Sequence, residues 1–234
     1  MIDRYALYST LEEITQTLKL PPLNQSFELK QHYNACPTQI LPIVTNKDPK
    51  INTDYIWGGT KSLAKNKPLS VKLINHQINL TPSATSHKLI STNRCLIPCN
   101  GFFLWKQVAK KRQIPYFFKP TNHSILLMAG TWEAFEDIDG QNFNTFRLLT
   151  KATDQFENQF GHDLPIFIPE NKTHDWLSND FDYKFYFNLL TESAVPTLIH
   201  FPVTPNIQYE EANNINLIRP STPADQMGNY SLFD

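Results

Sequence analysis

Glycine and cysteine are both scarce in this chain of 234 residues, with seven glycines and three cysteines. Sparse glycine alongside 17 prolines, 41% apolar and 18% charged residues excludes a low-complexity or disordered composition. Cys36, Cys95 and Cys99 cannot all pair, which argues against a disulfide scaffold and fits a reducing cytoplasm. No apolar run approaches the roughly 18 residues that a spanning helix needs. The opening MIDRYALYST has an acid where a secretory signal is basic, so a cytoplasmic chain with no membrane partner is expected. Cys95 and Cys99 have no second Cys or His pair at zinc spacing, and neither a metal nor a cofactor is expected. With 21 basic and 22 acidic side chains, the net charge is −1. That near-neutrality argues at first sight against nucleic acid.

The charge is unevenly distributed. Residues 1–54 carry five basic and six acidic side chains, and residues 133–234 carry five basic and sixteen acidic ones. Residues 55–132 carry eleven cations and no Asp or Glu at all. Clustered on one face, those cations could hold phosphates on a molecule that is neutral overall. The acidic C-terminal segment folding over them is an equally open reading.

Thr10-Leu-Glu-Glu13 has the form of a capping box. Leu11, Ile14 and Leu18 follow on one helical face, with Pro21-Pro22 as the stop. Short runs rich in β-formers at 55–58, 94–98, 115–118, 125–131, 143–150 and 165–168 read as strands between turns. Trp105–Ile114 reads as a hairpin with a basic tip, Glu136–Gly140 as a turn, and Asn171–Leu190 as two short helices. The expectation is an α+β domain with a curved, barrel-like, mostly antiparallel sheet and short flanking helices, spanning residues 1–234 as one unit.

A series of motifs, in order, resembles the SOS-response-associated peptidase (SRAP) family of abasic-site-processing proteins. Arg4-Tyr-Ala-Leu7 stands after the family's Met-Cys-Gly opening, and Tyr33-Asn-Ala-Cys-Pro-Thr-Gln39 resembles its Tyr-Asn-x-Ala-Pro-Thr-Gln segment. Trp57-Gly58 and Lys72-Leu-Ile-Asn75 follow at the family's spacing. Arg94-Cys-Leu-Ile-Pro98 with Gly101-Phe-Phe-Leu-Trp-Lys106 resembles its central signature. Ala129–Glu133, Leu148–Thr150, Gly161–Pro165 and Pro202-Val203 continue the register. The resemblance implies a cysteine after the initiator Met, whose amine and thiol close a thiazolidine on the aldehyde of an abasic site in single-stranded DNA. It also implies an Asn and a His at the sugar and a Glu that moves protons.

Two of those groups are replaced. Ile2 stands where the nucleophile is expected, and an isoleucine second residue also implies that Met1 stays in place. Leu104 stands where the signature has its acid/base Glu, and an aliphatic side chain transfers no proton. Asn75 is retained, although a buried Asn can equally serve to cap a turn. His162 matches the family's histidine if one residue is deleted before Pro165; otherwise Gly161 takes that place. Arg4, Pro37, Trp57, Asn75, Gln77 and Lys106 are the expected DNA contacts, with Gln77 replacing an Arg. Cys36 or Cys99 could supply a relocated thiol, but neither carries an α-amine.

The expected activity is therefore non-covalent binding of single-stranded or junction DNA in a basic cleft by a monomer that has lost its nucleophile. Two alternatives stay open. One is an active peptidase or a Schiff-base abasic-site lyase using Lys106 or Lys72; the other is a protein-interaction scaffold without catalysis.

Overall fold

The chain is described by a computed structural model covering residues 2–21, 28–58, 74–78, 90–136, 142–153, 157–161, 163–180 and 182–230. Its first strand, β1 (Tyr5–Leu7), leads into α1 (Leu11–Leu18). Both halves of the capping box form: Thr10 Oγ1 accepts from the Glu13 N–H, and the Glu13 carboxylate accepts from the Thr10 N–H. The helix ends earlier than the prolines require, at Lys19 in the left-handed conformation (φ 52°). Ile14 and Leu18 are its buried face.

The strands that follow are β2 (His32–Ala35), β3 (Ile40–Thr45), β4 (Ile51–Trp57), β5 (Asn75–Gln77), β6 (Arg94–Cys99), β7 (Gly101–Ala109), β8 (Arg112–Pro120), β9 (Leu126–Glu136) and β10 (Asn142–Ala152). After them come a one-turn helix α2 (Glu157–Phe160), β11 (Asp163–Pro165), α3 (Thr173–Leu177), α4 (Tyr183–Glu192) and β12 (Leu198–Pro202). Strands β10, β4, β3, β6 and β9 pair in that order, and β9 pairs back onto β10, closing a five-stranded barrel. The fold is α+β with a closed, mostly antiparallel barrel, as the sequence pattern suggests.

Closure depends on β10, whose eleven residues carry two partners on each edge. Residues 142–148 pair with β9 and 150–152 with β11. On the other edge 144–146 run parallel to β4 and 148–150 parallel to β5. At Gly130 a Cβ would collide with the Ile97 side chain and the Arg147 carbonyl; glycine here lets β6, β9 and β10 close to barrel spacing.

The second sheet has the order β12–β8–β7–β1–β2. It leaves the barrel at a corner where β6 runs through Asn100 into β7. The Asn100 carboxamide accepts from the backbone N–H groups of Tyr8 and Ser9 and donates to Ser9 Oγ, fixing the end of β1 at that corner. One face of this sheet joins the barrel core through Tyr5, Phe102, Leu104 and Phe118. The opposite face carries a second apolar cluster, in which Ala6, Phe103 and Phe117 are covered by Val203, Ile207 and Leu217 of the C-terminal segment. The predicted hairpin and the two late helices are present, as α3 and α4. The segment 165–168 contributes only the end of β11 and an isolated bridge from Phe167 to Met128. Of the turn expected at 136–140, residues 137–140 lie outside the described residues. Among the described residues no helix is long and apolar enough to cross a membrane.

Candidate functional site

The N-terminal segment enters the seam between barrel and sheet because β1 pairs on both edges, Tyr5 with Ala35 of β2 and with Phe102 of β7. The Tyr5 ring reaches across to Trp57 at 5.1 Å between centroids. Ile2 is fully buried in the same core. Its carbonyl accepts a 2.6 Å hydrogen bond from Asn75 Nδ2, so the structure brings together two of the positions singled out in the sequence. Asn75 is placed by β5, whose parallel pairing to β10 matches it with Leu148. Its other carboxamide atom, Oδ1, is buried without a partner.

Arg4 follows, with its side chain 11% exposed. Nη1 donates to the Asp3 carbonyl at 2.8 Å, Nη2 makes a long 3.5 Å contact with the Gln208 carbonyl, and Nε has no acceptor. Pro37 is half-buried in the turn after β2. The next residue, Thr38, holds φ 73°, a conformation strained for a β-branched residue. That strain is fixed by two barrel hydrogen bonds, Thr38 N–H to the Trp57 carbonyl and Trp57 N–H to the Gln39 carbonyl.

Trp57 itself is fully buried, stacked on Phe146, with its indole N–H given to the Ile74 carbonyl. It presents no ring face to a ligand. Gln77 lies on the exposed end of β5 and donates to Asp163 Oδ1 at 2.7 Å. Leu104 is buried on β7 opposite Tyr116, and Phe160 of α2 stands edge-on to both Tyr116 and Phe118. Two residues along the same strand, Lys106 holds its ammonium 5.8 Å from the Tyr116 ring. His162 lies outside the described residues.

None of the three cysteines is poised as a nucleophile. Each is at most 1% exposed. Cys36 donates its thiol to the Asn34 carbonyl, and its pKa is pushed up to about 11, chiefly by burial. Arg4 pulls it down while Glu210 and Asp3 push it further up. Burial raises Cys95 and Cys99 as well. Reactive cysteines need the opposite environment.

Among the described residues, the cations of the acid-free segment are dispersed. Arg94 is buried, Lys110 and Lys111 sit at the β7–β8 turn, Arg112 is paired with Asp225, and Lys119 lies over the Phe201 ring. Lys61, Lys65, Lys67, Lys72 and Lys88 lie outside the described residues. A groove of about 630 Å³ opens beside the Cys36–Gln39 turn, and its wall carries Glu28, Glu210 and Glu211. Sequence reasoning overlooked Asp3, Gln208 and Glu210. For Asp3 the signal was present, since an acid occupies the place of the family's Gly after Cys. The C-terminal residues follow no motif that would have announced them.

The chain is 24% identical over 180 residues to the abasic site processing protein YoaM of Bacillus subtilis, covering 76% of this chain and 79% of that one. A Saccharomyces cerevisiae abasic site processing protein is 28% identical over 152 residues, covering 63% of this chain and 39% of its own length. A crystal structure from Bacteroides thetaiotaomicron superposes with a TM-score of 0.68 at 18% identity, over 82% of this chain and 87% of that one. A phage-related protein from Bordetella bronchiseptica gives 0.66 at 19% identity, over 86% and 93%. The profile of SOS response associated peptidases matches residues 1–209, and the chain belongs to that family, SRAP.

Proposed function

We propose that this protein acts in the handling of DNA damage, binding single-stranded or junction DNA at abasic or gapped sites without a covalent step. The observation that carries the reading is the Asn75–Ile2 hydrogen bond. The N-terminal backbone is threaded beside the retained Asn as a covalent enzyme of this family would require. The side chain at position 2 is nevertheless a buried isoleucine that has no nucleophilic atom. Leu104 among aromatic rings removes the proton-transfer group at the second position. Relatives named as abasic site processing proteins support the lesion class. We further propose that residues 1–234 work as one unit, since the C-terminal segment covers the outer face of the β1-containing sheet.

The test is incubation of the protein with single-stranded DNA carrying an abasic site, read both as a gel shift and as an adduct that survives SDS. A shift without an adduct is expected. An adduct at the N-terminus would overturn the loss of chemistry, and no shift at any salt concentration would overturn DNA binding. One observation favours a second reading, a Schiff-base lyase: Lys106 shares a strand and a sheet face with Leu104 and lies beside His200, whose pKa is lowered by burial and by that ammonium. Borohydride trapping of an adduct that Lys106→Met abolishes would establish it.

A further inference from the structure

We infer that Asp3 is a specificity-determining residue: its carboxylate acts as an internal anion at Arg4, so a phosphate reaches that guanidinium only by displacing it. This rests on the nucleic-acid reading above. Asp3 Oδ2 stands 3.8 Å from Arg4 Nη1. The Arg4 side chain is 11% exposed and that of Asp3 39%, so an anion arriving from solvent meets the carboxylate before the guanidinium.

The local field points the same way. Cys36 is acted on by one cation, Arg4, and by two carboxylates, Asp3 and Glu210. Glu210 belongs to the C-terminal segment that also brings the Gln208 carbonyl to Arg4 Nη2. A phosphodiester placed at Arg4 would therefore sit among like charges.

The contact is nonetheless incomplete. It is monodentate and long, Arg4 Nε lacks an acceptor, and Asp3 Oδ1 is buried without a donor. A partly exposed pair of this geometry is weak, which makes Asp3 a competitor rather than a permanent plug.

The experiment uses the full chain and fluorescence anisotropy with a single-stranded oligonucleotide carrying a central tetrahydrofuran abasic analogue, over a series of salt concentrations. Asp3→Asn removes the charge while keeping the shape. Binding about three- to tenfold tighter is expected, with a log K against log salt slope steeper by about 0.7, the increment for one more phosphate neutralised on single strands. Glu192→Gln, the same change of net charge on α4, is expected to leave the slope unaltered. Adding Arg4→Gln to Asp3→Asn is expected to remove the gain. Circular dichroism melts confirm folding, and Asp3→Gly serves as a second variant. If Asp3→Asn and Asp3→Gly bind no better than Glu192→Gln, the inference is overturned whatever the wild type does. If these variants bind and the wild type does not, Asp3 is upheld as the block, and the claim that the wild-type protein binds DNA falls instead.

Discussion

The carboxamide of Asn75 holds the carbonyl of Ile2 at 2.6 Å, so strand β5 grips the N-terminal segment by its main chain. A main-chain contact is indifferent to the side chain at position 2. An isoleucine at position 2 therefore leaves this placement of the N-terminal segment intact.

Removing that grip should be measurable. Asn75→Ala leaves the Ile2 carbonyl without a donor and is expected to cost about 1–3 kcal/mol in urea unfolding. Asn75→Asp should cost more, because a carboxylate would face the carbonyl it replaces a donor to. DNA affinity should fall in both. Equal stability of the wild type and Asn75→Asp would show that the hydrogen bond contributes nothing.

The cysteines give a chemical prediction. With its pKa at about 11, Cys36 is a thiolate in roughly one molecule in several thousand at pH 7.5, and burial raises the pKa of Cys95 and Cys99 as well. Titration with a disulfide reagent should find essentially no fast-reacting thiol in the native protein and three after denaturation in guanidinium. A native thiol that reacts within seconds would return Cys36 to consideration as a relocated nucleophile.

Much of the fold was legible because its signals are local. The Thr10–Glu13 capping box, the basic hairpin tip and the pairs of helices after Asn171 each depend on residues a few positions apart. The strands that were missed, β1, β2, β3, β5 and β12, are short, and all but β3, which pairs with its neighbour β4, take their partners from far along the chain. Tyr5, for example, pairs with Ala35 and Phe102. At the candidate site, the motif register singled out Ile2, Asn75 and Leu104, of which the structure brings Ile2 and Asn75 into contact. The register placed Trp57 among the DNA contacts, although the ring is sealed in the core, and it gave no hint that Gln208 and Glu210 return to Arg4, since that depends on tertiary packing. Position-resolved charge was informative about composition and a poor guide to surface, because burial removed Arg94 from it and Asp225 neutralised Arg112.

Arg94 shows what the first of those cations does. Its guanidinium donates to the carbonyls of Ile90, Ser91, Trp176 and Ser178 and lies 4.3 Å from the Tyr186 ring. It thereby fastens α3 and α4 to β6. Lysine has neither the planar fork nor the reach for four carbonyls. Arg94→Lys should lose about 2–4 kcal/mol and change the fluorescence of Trp176, with DNA affinity per folded molecule unaltered. A loss of affinity in a fully folded Arg94→Lys protein would make this residue a DNA contact after all.

Asp225 ties down the far end of the chain. Burial pushes its carboxyl pKa up, but the Asn229 N–H, the Arg112 guanidinium, the Asn229 amide and the Met227 N–H outweigh that and hold it at about 2. The unfolded chain titrates near the ordinary carboxylate value of about 3.9. A group whose folded pKa is depressed stabilises the native state above its unfolded pKa and loses that contribution as pH falls toward the folded one. The stability difference between the wild type and Asp225→Asn should therefore be flat above about pH 4 and shrink progressively toward pH 2 in urea titrations. Arg112→Ala removes one of the groups that depress the folded pKa, so the same decline should still begin near the unfolded value, be smaller, and end at higher pH. Because Asp225 also places Gln226, which bonds Gln113 and the Gln208 amide, limited proteolysis of the C-terminal segment should accelerate over the same pH interval. A decline that ignores Arg112→Ala would assign the acid sensitivity to other carboxylates.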